Sequence, residues 1–412
     1  MGLVHGIVAA CLFLLLLSAI EHHFRRSKLP YLCWMVLFGM GYGMIQIQMG
    51  KAIPDLRLDP DVILYCFLPL LIFDSARKIE LKTAEAVALP SILLATVGVV
   101  LSMFVMAVPV SMATDLPWMD ILLFTGIMSA TDPVAVSAIF KEFPLPRRLR
   151  MLVEGESLLN DGTAVILYTL LGKQVLQGEI LTLPSVSVFL LLSTGSAVLI
   201  GICAGLGGAW LLKRWKALKD HFIGPMLPLL VVYLVFCVTQ YSLDFSGVIA
   251  VLCATMTIRV MFFRYWMHDL PKRCELEFYD ELWDFIGSLA NAVLFFLLGV
   301  EIGSNLGDLG WTMILVGILA LVLSRSVVVY AFGVVFRLMK LDVPLSWLHV
   351  LNIGGLRGAL PVALVLMLPV DYPYRNAFLG GALSMGVFTL VFHPLAMRAY
   401  LKRSDLSDAQ SP

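Results

Sequence analysis

Long, uninterrupted apolar runs dominate this chain and constrain its fold more than any other feature. One helical membrane span needs about 20 consecutive apolar residues, and 60% of the 412 residues are hydrophobic while only 14% are charged. A soluble chain of this size carries about 25% charged residues to keep its surface hydrated. The composition therefore excludes a soluble enzyme, a nucleic-acid binder and a secreted disulfide scaffold. The continuity of the runs excludes an outer-membrane barrel, whose strands alternate in polarity.

The apolar runs predict an all-α polytopic membrane protein with thirteen helical spans. The predicted spans lie near 2–20, 31–48, 60–76, 86–110, 118–141, 149–172, 185–212, 224–242, 245–263, 281–300, 311–336, 345–368 and 376–397. The first span is not predicted to be a signal peptide, because Arg25, Arg26 and Lys28 follow it and no basic residue precedes it. The loops, including the connection near 264–280, are too short to fold as soluble domains.

The uneven distribution of basic residues over the loops tests this number of spans. Cytoplasmic loops of membrane proteins carry an excess of lysine and arginine. With thirteen spans, 23 of the 29 basic residues fall on the side of the C-terminus and 4 on the opposite side, while two arginines remain inside spans. This bias predicts an N-terminus outside the cell and a C-terminus in the cytoplasm. The short predicted tail, 401–412, favours the inner membrane of a prokaryote.

A charged residue near the bilayer centre costs at least about 2.5–3.5 kcal/mol to insert, and seven charged residues of the predicted spans are singled out on this ground. They are Asp74, Asp132, Glu154, Glu156, Asp161, Arg325 and Arg357. Five of the seven fall between residues 74 and 161. This clustering is the strongest indication of a functional site in the sequence.

The fifth predicted span carries Asp132 immediately before Pro133. Proline removes a backbone donor and disfavours helical geometry in the residue that precedes it. We therefore expect the helix to unwind near its middle, where irregular backbone is tolerated only if it lines a cavity. A plain proline kink is the simpler interpretation, but it does not explain an aspartate at that depth.

The sixth span places polar residues on two neighbouring helix faces. Ser157 and Asp161 lie four residues apart on one face, and Glu156 and Asn160 share the next. Asp161 and Asp132 are both predicted near the bilayer midplane on adjacent helices. Two carboxylates with a hydroxyl and freed carbonyls form an oxygen cage suited to a hard monovalent cation. The same carboxylates, desolvated and close together, can hold a proton instead.

The twelfth span is predicted to be a second broken helix, because three glycines and a proline interrupt it between residues 354 and 361. Interrupted segments at matching positions in two halves of a chain indicate a transporter site. The two broken spans are seven apart, so the first six spans match the last six as an inverted repeat. A small-residue packing face would explain the glycines but not an arginine among them.

The remaining charges within the spans receive separate predictions. Arg357 is expected to pair with Glu156, because each would cancel a buried charge and neither is stable alone. Arg325 is expected to neutralise an acid that the sequence does not identify. Asp74, near the cytoplasmic end of the third span, is either a residue that attracts cations or an ordinary interfacial aspartate.

Three motifs in this order resemble the monovalent cation:proton antiporter superfamily, in its sodium/proton exchanger branch. The motifs are Thr131-Asp132-Pro133-Val-Ala-Val, Glu154-Gly-Glu-Ser-Leu-Leu-Asn160-Asp161-Gly162 and Gly354-Gly-Leu-Arg357-Gly-Ala. Supporting stretches are Leu68-Pro-Leu-Leu-Ile-Phe-Asp74 and Asn291-Ala-Val-Leu-Phe-Phe-Leu-Leu-Gly-Val-Glu301. The resemblance covers nearly the whole chain.

The resemblance implies a transporter, not an enzyme, that exchanges Na⁺, and also Li⁺, for protons without a cofactor. It implies that the cation is held by Asp132, Asp161, Ser157 and the Thr131 backbone. Asn160 and a Glu156–Arg357 pair would support the core, and Asp74 would lie near the access route of the ion. Asparagine before the second aspartate implies electroneutral exchange. The position of Asp74 is more often glutamate in this branch, which leaves its direct contact with the ion open.

The resemblance also implies an alternating-access, elevator-like mechanism in a homodimer embedded in the lipid bilayer, with no nucleic acid as a partner. We expect a transmembrane domain over 1–400, with core spans including 60–172 and 281–397. Dimerisation spans are expected around 2–48 and 185–263.

Three alternatives remain open from the residues themselves. A potassium-preferring cation/proton antiporter would use the same types of ligand. An ion channel would need a continuous pore, which the inverted repeat and the titratable midplane aspartates disfavour. A sodium-coupled symporter would need polar groups for an organic substrate, and the spans do not provide a recognisable set.

Overall fold

The computed structural model describes residues 13–20, 22–24, 27, 29–49, 56, 58–132, 137, 139–140, 143, 145–179, 182–215, 223–265, 273–305 and 311–404. Several predictions concern residues outside these ranges. They are residues 2–12 of the first predicted span, the proline at position 133, the middle of the connection near 264–280 and the tail beyond residue 404.

The described chain is built from α-helices that follow the apolar runs of the sequence. They are α1 (Tyr31–Met49), α2 (Leu68–Lys78), α3 (Leu81–Leu93), α4 (Val99–Ala113), α5 (Trp118–Ile127), α6 (Arg147–Gln177), α7 (Leu183–Arg214), α8 (Ile223–Cys237), α9 (Gly247–Tyr265), α10 (Arg273–Ser304), α11 (Trp311–Leu338), α12 (Leu345–Ile353), α13 (Ala359–Leu366) and α14 (Arg375–Leu401). The short helix Pro60–Val62 and the π-helical turn Ile63–Phe67 lead into α2, and the π-helical turn Leu94–Gly98 joins α3 to α4.

Seven helices in the described part of the chain are long and apolar enough to cross a membrane. The prediction of an all-α polytopic membrane protein is therefore confirmed, while the number of thirteen spans stays a prediction. Helix α6 has 31 residues and is about 46 Å long, so it too can span a bilayer despite its polar residues. It ends where Gly178 adopts a left-handed backbone (φ 72°), which favours glycine, and closes the last turn on the carbonyls of Gln174 and Lys173.

Two interruptions of helical structure coincide with charged residues. Helix α5 ends at Ile127, and residues 129–132 leave the helical pattern. Residues 354–358 separate α12 from α13. The prediction that these are two crossing, discontinuous helices goes beyond the described residues for the first of them and stays a prediction.

Glycines allow the closest helix packing in the molecule. On α1, a Cβ atom added to Gly39 or Gly43 would overlap backbone carbonyls of α10, and the same holds for Gly299 and Gly303 of α10 against α1. Such small residues let membrane helices approach backbone to backbone. Helix α1 belongs to the predicted dimerisation group and α10 to the predicted core, so the two groups meet along this contact.

The buried apolar side chains form two clusters. The larger extends through α1 to α6 and α10 to α14 and surrounds the polar residues of the sixth predicted span. The smaller is built mainly from α7, α8 and α9. Helix α7 leaves large apolar side chains exposed, among them Leu191, Leu199 and Trp210, as expected of a helix that faces lipid or a second copy. The division of the chain into a core and a dimerisation domain stays a prediction.

Candidate functional site

The two non-helical segments contact each other through backbone groups that a helix would have used internally. The Asp132 N–H donates to the Leu356 carbonyl at 2.8 Å. The Arg357 guanidinium donates from one nitrogen to the carbonyls of Ser129 and Ala130, at 2.6 and 2.7 Å. These carbonyls lie just beyond the C-terminal end of α5, where the helix dipole is negative. Arg357, which is 3% exposed, therefore satisfies carbonyls that the break leaves without helical donors.

Two glycines make this contact sterically possible. A Cβ atom on Gly358 would overlap the carboxylate of Asp132, and one on Gly355 would lie 2.9 Å from Nε of Arg325. Any side chain at these positions would push the charged groups away. The glycines of the broken span thus admit an aspartate and an arginine from neighbouring segments.

Polar side chains of α6 converge on Thr131. The Ser157 hydroxyl donates to the Thr131 carbonyl, and the two hydroxyl oxygens lie 3.0 Å apart. Asn160 donates from Nδ2 to the Thr131 hydroxyl at 2.8 Å. All three residues are buried. The serine and the asparagine, predicted on neighbouring faces of one helix, therefore hold the same residue of the first broken segment.

Asp132 and Asp161 line one cavity together with Thr131, Gly358 and Asn291. Its other walls are mostly apolar, from leucine and isoleucine side chains of α2, α10 and α13. Asp161 lies in the middle of α6 and is half-buried, and none of the described residues donates a hydrogen bond to its carboxylate. The two carboxylates are close enough for their charges to repel. The cavity thus holds two acidic groups in an apolar setting.

The prediction that Glu156 pairs with Arg357 is wrong. Arg325 of α11 is the partner: its two terminal nitrogens donate to the two carboxylate oxygens of Glu156, each at 2.8 Å. Arg325 also donates to the Leu351 carbonyl in the last turn of α12, at 3.0 Å. The sequence offered two buried arginines for one glutamate, and only the tertiary structure, in which the long Arg325 side chain of α11 reaches Glu156 of α6, decides between them. The acid that Arg325 neutralises is thereby identified as well.

Some supporting residues carried no sequence signal. Thr389 of α14 is fully buried and accepts a hydrogen bond from the Arg357 N–H at 3.0 Å. Ser326 and Asn352 hydrogen-bond to each other between α11 and α12, at 3.2 Å. Isolated hydroxyl residues are common in membrane helices because they bond to their own backbone. Nothing in the sequence therefore distinguishes these residues from ordinary ones.

The structure places Asp74 outside the cavity of Asp132 and Asp161. Its carboxylate accepts from Arg77 at 2.8 Å and from Lys78 at 2.7 Å. Arg77 continues to α10, where it pairs with Asp280 at 3.0 Å and with Asp284. These five residues, here called the mouth cluster, line a second cavity. Asp74 is therefore ion-paired within the protein and apart from the other predicted ligands.

The second cavity also contains Glu154, which the sequence placed within the sixth span. Its carboxylate accepts a hydrogen bond from the Ser137 hydroxyl at 3.0 Å. Arg150 and Arg259 line the same cavity. Both acidic and basic side chains thus line this cavity, whereas the only charged side chains that line the other cavity in the described part of the chain are Asp132 and Asp161.

Comparisons with known proteins agree with this arrangement. A family model described as "Sodium/hydrogen exchanger, transmembrane" matches residues 12–403. The Na(+)/H(+) antiporter ApNhaP of Aphanothece halophytica is 31% identical over 392 residues, which cover 95% of this chain and 72% of the relative. The Na(+)/H(+) antiporter NhaH of Halobacillus dabanensis is 28% identical, with 97% of this chain and 99% of the relative covered. The solved sodium proton antiporter MjNhaP1 from Methanocaldococcus jannaschii shares the fold, with a TM-score of 0.77, 18% identity and 100% coverage of both chains.

Proposed function

The chain belongs to the sodium/hydrogen exchanger family, and from that premise we propose that it exchanges sodium ions for protons across the membrane. The observation that carries the proposal is the shared cavity of Asp132 and Asp161. Because the two carboxylates repel each other in an apolar setting, one bound cation or one bound proton relieves the repulsion. Occupancy by either excludes the other, which is the requirement for exchange.

The proposed ligands are oxygen atoms, which hard cations prefer. They are the carboxylates of Asp132 and Asp161, the Ser157 hydroxyl and the backbone carbonyl of Thr131. The Ser157–Thr131 hydrogen bond holds two of these groups side by side. A carbonyl oxygen has two lone pairs, so the Thr131 carbonyl can accept from Ser157 and still bind an ion.

Neighbouring charged groups are arranged so that they do not compete for the ion. Arg325 pairs with both oxygens of Glu156, so this glutamate has a fixed positive partner. Asn160 is bound to Thr131 and carries neither a charge nor a titratable proton. Because this position adds no second titratable charge, we propose that one monovalent cation replaces one proton, so that exchange is electroneutral.

The remaining parts of the proposed mechanism rest on analogy with the family. We propose that the cavity opens to the two sides of the membrane in turn as the segments of the fifth and twelfth predicted spans move together. Their mutual hydrogen bonds support such joint movement. Helices α7 to α9 contribute most of the smaller apolar cluster and are proposed to provide the static, dimer-forming part. The proposed setting is an inner membrane with the C-terminus in the cytoplasm, and Li⁺ is proposed to substitute for Na⁺.

Transport by purified protein in liposomes tests the proposal. A pH gradient is imposed, Na⁺, Li⁺ or K⁺ is added outside, and internal pH is followed with a trapped dye. We expect Na⁺ and Li⁺ to dissipate the gradient and K⁺ to have little effect. Equal rates with K⁺ would replace the proposal by a potassium-preferring antiporter, and a cation current without proton movement would replace it by a channel. If clamping the membrane potential changes the Na⁺ rate substantially, exchange is not electroneutral.

A further inference from the structure

Asn291 of α10 is the residue at which the two cavities meet. It lines the cavity of Asp132 and Asp161 and also the cavity of the mouth cluster. Ser75 of α2 and Leu158 of α6 are the other two residues common to both walls. An ion that moves from the mouth cluster to Asp132 and Asp161 therefore passes between these three side chains.

Of the two polar atoms in the side-chain amide of Asn291, only one has a hydrogen-bond partner among the described residues. Its Nδ2 donates to the Gly287 carbonyl one turn earlier, at 2.9 Å. Its Oδ1 is buried and has no hydrogen-bond partner among the described residues, and the residue as a whole is 6% exposed. Because a carbonyl only accepts, the nitrogen must face Gly287. The oxygen is thus the atom left for another donor or for a cation.

Asn291 is the last of a row of residues that lie along one side of α10. The row begins with Asp280 and Asp284 of the mouth cluster and continues through Gly287, where a Cβ atom would overlap the carboxylate of Asp74. Successive members are three or four residues apart, so they share one helix face. From Asp280 to Asn291 the row rises about 16 Å. It therefore connects charged groups at one end with the apolar cavity at the other.

A packing role alone does not explain this residue. Asn305, the residue just after the end of α10, makes the same bond from its Nδ2 to the carbonyl four residues earlier, at 2.8 Å, and a second one to the Glu301 side chain. It lines neither cavity. A buried amide oxygen without a partner costs free energy, whereas leucine would fill the same space without that cost. The oxygen at position 291 thus has no structural function in the described part of the chain.

We propose that Oδ1 of Asn291 is a cation ligand that passes a partly dehydrated monovalent cation between the mouth cluster and the Asp132–Asp161 cavity. This inference rests on the proposed sodium/proton exchange. A neutral oxygen compensates for lost hydration without holding the ion as a third carboxylate would. Ser75, which also lines both cavities, carries the second neutral oxygen in this region.

The test compares three variants in liposomes and in detergent. Asn291→Leu removes the oxygen, Asn291→Asp keeps an oxygen and adds a charge, and Asn305→Leu, just after the end of the same helix, is the control. We expect Asn291→Leu to raise the apparent KM for Na⁺ about tenfold, the effect of losing one moderate contact. Asn291→Asp is expected to lower the apparent KM and the maximal rate together, because it binds the ion more tightly and releases it more slowly. Asn305→Leu should leave both constants unchanged.

A second readout separates a failure of this inference from a failure of the proposed function. Na⁺ that binds the folded protein raises its Tm, and this shift is measured with Na⁺ and with an impermeant organic cation. If wild type exchanges Na⁺ for protons and Asn291→Leu keeps the wild-type KM and the wild-type Na⁺-dependent shift, the assignment of Asn291 is wrong and exchange stands. If wild type shows no Na⁺-dependent proton movement, the proposed function fails. In that case a Na⁺-dependent shift lost only in Asn291→Leu would still identify the ligand.

Discussion

The mouth cluster and the Asp132–Asp161 cavity both contain carboxylates, but the two sets differ in the partners that the protein provides for them. In the mouth cluster, Arg77 contacts three carboxylates and Lys78 contacts two of the same three. In the deeper cavity, Asp161 accepts no hydrogen bond from the described residues. Five residues earlier on the same helix, Glu156 is bound at both oxygens by Arg325.

The contrast shows that the number of acidic residues does not by itself make an ion site. A carboxylate with a cationic partner inside the protein has its charge compensated already, so a transported cation gains little there. Asp161, which accepts no hydrogen bond from the described residues, has more to gain from a cation or a proton. This difference supports the proposal that the carboxylates that bind the ion are those of the deeper cavity.

The largest expected effect comes from removing the charge of Asp161. Asp161→Asn should reduce Na⁺-dependent proton movement to the level of protein-free liposomes, because no repulsion between carboxylates is left for an ion to relieve. The measurement is dye-monitored decay of an imposed pH gradient. If coupled exchange survives this substitution, the proposed difference in function between the deeper cavity and the mouth cluster is wrong.

Breaking the buried pair of Glu156 tests the structural side of the comparison. Glu156→Gln or Arg325→Met leaves one buried charge uncompensated, which costs about 3–5 kcal/mol. The double variant should recover part of that loss, because no single charge remains. Thermal unfolding in detergent measures both. The control is the exposed pair of Arg147 and Glu80, at 3.5 Å, whose loss should cost at most about 1 kcal/mol. Equal effects at the two pairs would contradict this reasoning.

A glycine substitution tests how closely the broken segments must fit. Gly358→Ala places a methyl group against the Asp132 carboxylate. Such overpacking costs about 1–3 kcal/mol, which corresponds to a rise in the apparent KM for Na⁺ of about fivefold to 150-fold if the bound state carries the cost. Gly172→Ala in α6 is the control, because a Cβ atom there has no neighbour within 4 Å. A normal KM in Gly358→Ala would show that the contact is dispensable.

The smallest effect is expected in the mouth cluster. Asp284 is 58% exposed at its side chain, so Asp284→Asn should change the apparent KM for Na⁺ by no more than about fivefold, the range of surface ion pairs. The effect should shrink as ionic strength rises, because salt screens exposed charges. Initial rates at low and high choline chloride provide the measurement. A loss as large as that of Asp161→Asn would mean that the ion-paired carboxylates of the mouth cluster bind the transported ion directly.

Much of the site follows from the sequence, because the bilayer penalises buried charge. Asp132, Asp161, Glu156 and Arg357 were identified by that argument, and the structure places all four around the contact of the two broken segments. The resemblance to the exchanger family, drawn from three short motifs, is confirmed by the family model over residues 12–403. The specific ion-binding role of each residue stays a proposal.

The partners of the buried charged residues were harder to predict than the residues themselves. Arg325 and Arg357 are equally plausible partners of Glu156 by type and by depth. The breaks near residues 129–132 and 354–358 decide the matter, because the freed carbonyls of Ser129 and Ala130 attract one guanidinium and leave the other for the glutamate. Helical spacing does not describe a segment that is no longer helical, so the sequence pattern gave no guidance there.

The sequence by itself determined the helical membrane fold, the family and the small set of charged residues that spans do not normally tolerate. These properties depend on composition and on position along the chain, and the bilayer imposes both. Only the tertiary structure decided which of those charges are compensated. It paired Arg325 with Glu156 and enclosed Asp74 among basic side chains. It also placed between two cavities the Asn291 oxygen, which has no hydrogen-bond partner in the described part of the chain. Compensation of a charge is a property of distances between helices, and those distances are set by packing between residues far apart in the chain.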